Sequence, residues 1–484
     1  MLRQRTIGLP PVCDSDSPDQ HLGKAANGWY FGGMKKHQNT ARPRVGFISL
    51  GCPKNTVDSE KMLAIIGEAG FVITHDTANA DVVVINTCGF IRTAKDEALD
   101  TIGEALELKR RHRVRKVIVA GCLPQRMGKA LLDEAPGIDA IVGLEDRDEI
   151  AQVITRVLTE GPTIQVDLQQ SFTKRADDRG RLLITPPHSA YLRISEGCDR
   201  RCSFCTIPAI RGRFRSKDPQ LVLEEARELA AHGVVELNVI AQDTNSYGRD
   251  LGGQYGLVDL LRDLEQVEGL RWIRLMYLYP AAVDEHLIST LAQSTRIVHY
   301  VDMPIQHVND GILKAMHRSD RREKTAALIE QLRRAMPDVV LRTTVMVGFP
   351  GETDADFAEL LEFVRWAQFD ALGCFTFSAE EGTPAADLPG QVPREVQDAR
   401  SHELMLAQQE IAFSRARSRV GSELVCLIDE TDMGGRSRGR YYGQAPEIDS
   451  VCHIRRSHAK AGSFVKVRVT DTQDYDLLAE AIRS

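Results

Sequence analysis

Three cysteines lie within one short loop, where their thiolates could bind a single metal centre. They are Cys198, Cys202 and Cys205, spaced C-x3-C-x2-C, and no fourth cysteine follows nearby. Thiolate-rich loops favour iron–sulfur clusters or zinc. A four-iron cluster held by three cysteines keeps one iron open for a substrate or cosubstrate. The alternative is a zinc site completed by His188, although structural zinc sites usually pair their ligands as C-x2-C or H-x3-H.

Three other cysteines, Cys52, Cys88 and Cys122, each follow a predicted buried strand by one or two residues. Amphipathic helix patterns separate these strands, which predicts an α/β domain with a parallel sheet. The carboxyl ends of parallel strands form one edge of such a sheet. A lone cysteine here would be interpreted as a small core residue. Three at one edge favour a second shared metal site.

A second series of strand and helix patterns follows a polar connector. Six repeated βα units predict an incomplete TIM-like barrel, in which chemistry lies on the loops after the strands. The first strand pattern precedes the Cys198–Cys205 loop, and the fifth precedes the stretch Gly348–Glu352. The six predicted strands are Tyr191–Ser195, Val234–Ala241, Trp272–Tyr279, Tyr300–Met303, Val339–Val347 and Ala371–Phe377.

Short β-like runs dominate the end of the chain and predict a small barrel of OB type. Between Gly421 and Ser484, Lys and Arg number nine while Asp and Glu number ten. RNA-binding modules usually present a basic face, so this balance favours a protein partner. Five arginines could still lie together on one face: Arg436, Arg438, Arg440, Arg455 and Arg456. The predicted strands are Glu423–Ile428, Val451–Ile454 and Ser463–Val469.

Composition and length predict a multidomain globular protein in the cytoplasm. The net charge of −7 predicts no strong global attraction to nucleic acid. No apolar run reaches the roughly 18 residues that span a bilayer, and the start lacks the apolar core of a signal peptide. Cys374 and Cys426 are interpreted as core residues, and Cys13 and Cys452 have no ligand neighbours. The predicted division is a disordered arm (1–42), an α/β domain (43–160), a linker (161–187), the partial barrel (188–415) and the small barrel (416–484).

The Cys198–Cys205 loop, with Phe204 before its last cysteine, resembles the signature of radical S-adenosylmethionine (SAM) enzymes. The resemblance implies that the open iron chelates SAM and that the reduced cluster cleaves it to a 5′-deoxyadenosyl radical. The stretch Gly348-Phe349-Pro350-Gly351-Glu352 is similar to a G-x-P-G-E segment of that family. The resemblance implies that Phe204, Gly348 and Glu352 contact SAM. An ordinary strand-to-helix turn ending at Thr353 explains the same stretch equally well.

A three-cysteine α/β domain ahead of a radical SAM domain resembles the methylthiotransferases. The run from Gly51 to Glu60, GCPKNTVDSE, is similar to the branch called RimO. The resemblance implies a second 4Fe-4S cluster on Cys52, Cys88 and Cys122, which holds the sulfur to be transferred, and a C-terminal TRAM domain. It implies methylthiolation of an aspartate β-carbon in ribosomal protein S-twelve (uS12), with SAM as radical source and methyl donor and a reductant such as flavodoxin.

Two other functions stay open at this point. Relatives of the same class methylthiolate an adenosine of transfer RNA, and a non-catalytic metal scaffold that binds the ribosome would also need clustered cysteines. Three further side chains are candidates without a decided role. Arg211 and Arg213 could contact SAM or substrate or be solvated, and His307 is more often a hydrogen-bonding than a catalytic residue.

Overall fold

The structure is a computed structural model that describes residues 5–6, 42–160, 165–167, 172 and 176–482. Nearly all of the predicted disordered arm, including Cys13, lies outside the described residues, as does much of the predicted linker. No helix in the described part of the chain is both long enough and apolar enough to cross a membrane.

The first domain alternates strands and helices, as predicted. Its elements are β1 (Arg5–Thr6), β2 (Arg44–Ser49), α1 (Pro53–Glu68), β3 (Val72–Thr74), β4 (Val82–Thr87), α2 (Arg92–Arg110), β5 (Lys116–Gly121), α3 (Cys122–Met127), α4 (Ala130–Glu134), β6 (Ala140–Val142), α5 (Ile150–Thr159) and β7 (Gln165–Asp167). The sheet order is β1-β2-β4-β5-β6-β7, β3 also pairs with β2, and every pairing except β1 with β2 is parallel. All six residues of β4 are buried, which is typical of a strand covered by helices on both faces.

The second domain consists mainly of six parallel strands joined by helices. Its elements are β8 (Ser189–Arg193), β9 (Ser195–Glu196), α6 (Ile207–Arg211), β10 (Arg215–Ser216), α7 (Pro219–Ala231), β11 (Glu236–Ile240), α8 (Leu257–Glu265), β12 (Trp272–Leu275), α9 (Glu285–Gln293), β13 (Ile297–Asp302), α10 (Asp310–Ala315), α11 (Arg322–Ala335), β14 (Val340–Val347), α12 (Asp354–Ala367), β15 (Ala371–Thr376) and α13 (Arg394–Arg417). The strands pair in the order β8-β11-β12-β13-β14-β15, and this sheet is open. The six predicted strands and the partial barrel are therefore confirmed.

The third domain is a closed five-stranded barrel. Its strands are β16 (Glu423–Thr431), β17 (Ser437–Tyr441), β18 (Cys452–Arg455), β19 (Phe464–Gln473) and β20 (Asp476–Ala481). The barrel class was predicted, but β17 and β20 were not, because charged residues interrupt both strands. Cys426 and Cys452 are completely buried among the apolar residues of its core, which agrees with the interpretation of Cys426 as a core residue. Cys374 of the second domain, which was also interpreted as a core residue, is only half-buried.

A buried ion cluster attaches the third domain to the second. Glu236, at the start of β11, accepts hydrogen bonds from Arg274 (3.0 Å) and from Arg440 of β17 (2.9 and 3.0 Å). Burial alone would raise the pKa of Glu236, but Arg440 and Arg274 outweigh burial and lower the pKa to about 2. The charged form of this carboxylate is therefore part of the interface.

We expect Glu236→Gln to destabilise the protein by about 3 kcal/mol near neutral pH, because two buried guanidinium groups lose a shared carboxylate. Since the folded pKa lies below the ordinary value, the stabilisation is present above about pH 4.5 and is lost as the pH falls towards about 2. Calorimetric melting from pH 7 to pH 3 should show a steeper fall for the wild type than for the variant. Glu430→Gln, an exposed carboxylate on β16, is the control; the same change in both variants would contradict the expectation.

Candidate metal centre between two domains

The loops that carry Cys52, Cys88 and Cys122, here called the sheet trio, meet at the carboxyl edge of the first sheet. Gly51 has a positive φ of 98°, and a Cβ on it would lie 2.8 Å from the Cβ of Cys88. A Cβ on Gly89 would lie 3.2 Å from the carbonyl carbon of Cys122. Glycine is thus required at Gly51, because its φ is positive and the Cys88 side chain lies directly against it. The predicted convergence of these three loops is what the structure shows.

Asn55, in the first turn of α1, ties the three loops together. Its side-chain amide donates to the carbonyl oxygens of Leu50 (3.2 Å) and Thr87 (2.9 Å). Its Oδ1 lies 3.4 Å from Cys122 Sγ. Asn86 in turn donates to the backbone oxygen of Asn55 at 2.9 Å. These buried hydrogen bonds fix the loops relative to one another, and the sequence analysis did not identify Asn55 as a site residue.

Backbone and side-chain hydrogen bonds also fix the loop of Cys198, Cys202 and Cys205, here called the barrel trio. Cys205 N donates to Cys202 O (3.1 Å), and Cys198 N donates to Gly212 O (3.2 Å). Ser203 donates through its backbone to Met316 O (3.0 Å) and through its hydroxyl to Ala315 O (2.8 Å). The loop follows β8 at the carboxyl end of the barrel, where the fold class places chemistry.

The two trios are neighbours across the domain boundary. Thr206, next to Cys205, donates its hydroxyl to Phe90 O (3.0 Å), two residues after Cys88. Arg211, at the end of α6, lies with Nη2 3.3 Å from Cys122 Sγ and donates to Asn55 Oδ1 at 2.8 Å. The segment after the barrel trio therefore contacts the loops of the sheet trio.

A network of buried arginines and carboxylates surrounds this contact. Asp58 of α1 accepts from Arg147 (2.6 Å), Arg193 (2.7 Å) and Arg211 (3.0 Å). Glu196 also pairs with both Arg193 and Arg211. Burial would raise the pKa of Asp58, but the arginines outweigh it and hold the pKa far below its usual range. The first domain is thus attached to the barrel through charges that are inaccessible to water.

The donor set, two groups of three thiols, is of the kind that holds iron–sulfur clusters. No group of three or more His, Cys, Asp or Glu side chains in the described ranges is arranged to hold one metal ion. Three thiols spread around a cluster several atoms wide do not need the close spacing that one tetrahedral ion demands. Burial raises the pKa of Cys88 and of Cys198 to about 11, so loading either trio must displace protons.

The zinc alternative that used His188 is wrong. His188 precedes β8, whereas the barrel trio follows it, so the whole strand separates them. Its Nε2 instead lies 3.0 Å from Asp429 Oδ1 of the third domain. The histidine is part of a domain interface and lies at the opposite end of β8 from the barrel trio.

Comparison with known proteins agrees with this geometry. Family models match at residues 44–143 (uncharacterized protein family UPF0004), 192–364 (Radical SAM superfamily) and 420–482 (TRAM domain). A Thermoanaerobacter protein named ribosomal protein uS12 methylthiotransferase RimO is 44% identical over 90% of this chain and 99% of its own length. A Geobacter sulfurreducens protein of the same name is 43% identical over 92% of this chain and 100% of its own. The chain belongs to the RimO methylthiotransferase family.

The predicted enzyme class, a radical SAM methylthiotransferase, is therefore confirmed over the non-catalytic scaffold, and its cofactors include SAM and a 4Fe-4S cluster. A solved structure of the radical SAM methyltransferase TsrM from Kitasatospora setae, with cobalamin and a 4Fe-4S cluster bound, aligns with a TM-score of 0.52. It covers 71% of this chain and 77% of that one at 16% identity, so this likeness shows the fold alone.

The predicted SAM contacts in this RimO-family chain lie close to the barrel trio or on the loop after β14. Phe204 packs against an apolar cluster that includes Phe349 and Phe377. Gly348 has a positive φ of 74°, and its N donates to Glu352 Oε2 at 2.8 Å. Burial raises the pKa of Glu352, whose Oε1 lies 2.9 Å from Arg400 of α13. Both oxygens of Glu352 thus stabilise the turn, while its contact with SAM stays a prediction.

The stretch Gly348–Glu352 does lead into helix α12, which follows Thr353, as its interpretation as a strand-to-helix turn predicts. Thr353 caps α12, because its hydroxyl accepts from Asp356 N and Asp356 Oδ2 accepts from Thr353 N. This reciprocal capping box satisfies backbone donors at the start of the helix. It leaves the preceding Gly348–Glu352 loop fixed at the carboxyl end of the barrel.

The structure also shows what surrounds Arg213, His307 and Lys54. Arg213 is exposed and lies 3.3 Å from Asp199, so it is solvated. His307 is buried, which lowers its pKa to about 4, and its Nδ1 accepts from Asn309 N at 3.0 Å. Lys54, which the sequence analysis did not single out, is buried beside Cys52, and burial lowers its pKa to about 8.

We expect Arg211→Gln to lower the free energy of unfolding by about 2–3 kcal/mol, because Asp58 and Glu196 lose one of their buried cationic partners. Arg213→Gln removes an exposed arginine two residues away and should change the free energy of unfolding by less than about 0.5 kcal/mol. Urea unfolding followed by circular dichroism measures both. Equal shifts in the two variants would show that Arg211 does not join the domains.

Proposed function

We propose that this protein methylthiolates the β-carbon of an aspartate in ribosomal protein uS12, with SAM as both radical source and methyl donor. The contact between the segment that follows the barrel trio and the loops of the sheet trio carries the proposal. Its relatives at 43% and 44% identity, which the chain matches along nearly their whole length, are named for methylthio transfer to uS12. A one-electron reductant such as flavodoxin completes the proposed reaction.

The two trios have different proposed roles. The barrel trio holds the cluster that binds SAM, with Phe204, Gly348 and Glu352 against the cosubstrate. The sheet trio holds a second 4Fe-4S cluster that carries the sulfur. When bound, these clusters supply the electron that cleaves SAM and the sulfur that is transferred. Since Thr206 and Arg211, which follow the barrel trio, contact the loops of the sheet trio, the proposed transfer occurs within one chain rather than between molecules.

The chain's own side chains position the reacting groups and exclude water. The buried network of Asp58, Arg193 and Arg211 keeps the two loops at a fixed distance. The target carbon has no acidic proton that a general base could remove, which is why this chemistry needs a radical.

The surface of the third domain favours a protein substrate over RNA. Four of the five arginines that could have formed a basic face are paired with carboxylates. Arg440 is also buried against Glu236. A module of this kind offers few free cations to a phosphate backbone. The proposed domains are 43–160, 188–415 and 416–484.

Deletion of the gene should remove the methylthio mass from uS12 and leave the transfer RNA nucleosides unchanged, because the substrate is the protein. Mass spectrometry of ribosomal proteins and of digested transfer RNA measures both. Complementation with the wild type should restore the modification, whereas a Cys198→Ala variant should not. Loss of a methylthio nucleoside with uS12 unaffected would replace this proposal with the transfer-RNA reaction.

A further inference from the structure

Lys54 occupies a position that is unfavourable for a lysine. It lies in the first turn of α1, directly after Cys52 and Pro53, and this turn contains no acidic residue. The amino end of a helix carries partial positive charge, so a cation there is destabilising. Lys54 is also only 6% exposed, and burial of an ammonium group is costly. Departures of this kind from local preference concentrate at functional sites.

The charge of Lys54 has no carboxylate partner. Within residues 42–160 and 176–482, no acidic side chain lies within ion-pairing distance of its Nζ, which instead lies 3.0 Å from the centroid of the Tyr277 ring. The two nearby carboxylates that act on it are occupied by arginines: Asp302 pairs with Arg342 (2.7 Å), and Glu196 pairs with Arg193 and Arg211. The ammonium is therefore available to an anion.

Tyr277 holds this ammonium at the mouth of the barrel. The tyrosine follows β12 at the carboxyl end of the second sheet and has a positive φ of 62°, which is strained for a residue with a side chain. Its backbone N donates to Asp302 Oδ2 at 3.0 Å. The ring can hold a lysine by a cation–π contact while leaving its N–H groups free to donate. Lys54 thus crosses from the first domain into the barrel.

We propose that Lys54 binds the side-chain carboxylate of the target aspartate. This inference rests on the proposed function and names the group that selects an acidic side chain in that site. Lys54 is two residues from Cys52 of the sheet trio, and Arg211, whose charge acts on it, lies with Nη2 3.3 Å from Cys122 of the same trio. Glu196, whose charge also acts on it, comes two residues before the barrel trio in the chain. A carboxylate bound to the Nζ of Lys54 would place the neighbouring β-carbon near the sheet trio, at the carboxyl end of the barrel. A charge-assisted hydrogen bond favours a carboxylate over a neutral amide.

The test compares wild-type uS12 with uS12 whose target aspartate is replaced by asparagine. The full chain, loaded with both clusters under anaerobic conditions, should bind the aspartate form about 10- to 100-fold more tightly. Isothermal titration gives the dissociation constants. Lys54→Met should abolish this preference, and Lys54→Arg should keep most of it.

Lys61→Met is the matched control. Lys61 lies on the same helix, and its Nζ donates to Arg179 O at 2.7 Å, away from both trios. The Lys61→Met variant should prefer the aspartate form of uS12 over the asparagine form as strongly as the wild type does. Iron content shows whether each variant is loaded.

Three results would overturn the assignment. Equal binding of the two uS12 forms to the wild type excludes any carboxylate-binding residue, and this comparison needs no enzyme variant. An undiminished preference in Lys54→Met excludes Lys54. Equal weakening of both forms in Lys54→Met would mean that the lysine compensates the thiolates instead. Failure of the proposed function is distinguishable, since the wild type would then not methylthiolate uS12 at all.

Discussion

The structure depends on one buried carboxylate, Asp58, that is shared by three arginines. Arg147 belongs to the first domain, whereas Arg193 and Arg211 belong to the barrel. Removing a single member of such a cluster leaves other charges buried without partners. The cluster is therefore stabilising only when all of its members are present. Asp58 lies on α1, six residues after Cys52. The position of the sheet trio relative to the barrel is therefore fixed by electrostatics as well as by packing.

Fixing that position matters because sulfur transfer needs two centres held in one geometry. Reactions between groups that are already oriented avoid the entropy cost of bringing them together. Thr206 and Phe90 join the two cysteine loops directly, and Glu380, after β15, accepts from Arg92 N and Arg126 in the first domain (both 2.8 Å). Two separate connections, one through Thr206 and one through Glu380, thus join the loops of the first domain to those of the barrel.

Much of the fold could be predicted from the sequence because its signals are local. Runs of apolar residues followed by cysteine predicted the strands of the first domain and the edge on which their loops meet. The six strands predicted for the barrel correspond to β8, β11, β12, β13, β14 and β15. The charged strands β17 and β20 escaped prediction because one face of a small barrel is polar. The long helix α13 was also missed, since its buried residues are interspersed with polar ones.

The cysteines of the site could be predicted, but the residues around them could not. Asn55, Asp58 and Lys54 all lie in the run GCPKNTVDSE, which the sequence analysis used only for its resemblance to a family. Their partners Arg193, Arg211 and Tyr277 are more than a hundred residues away in the chain. Periodicity and spacing report only local structure, so contacts across a domain boundary require the three-dimensional arrangement. A buried run of polar residues at a helix start is the signal that could have indicated them.

The most direct test of the account is a count of clusters in the anaerobically purified protein by iron and sulfide analysis with Mössbauer spectroscopy. Two 4Fe-4S clusters per chain are predicted, and one should remain when Cys52, Cys88 and Cys122 are all replaced by alanine. A single cluster in the wild type, or an unchanged count in the triple variant, would contradict the central claim that each trio holds its own cluster.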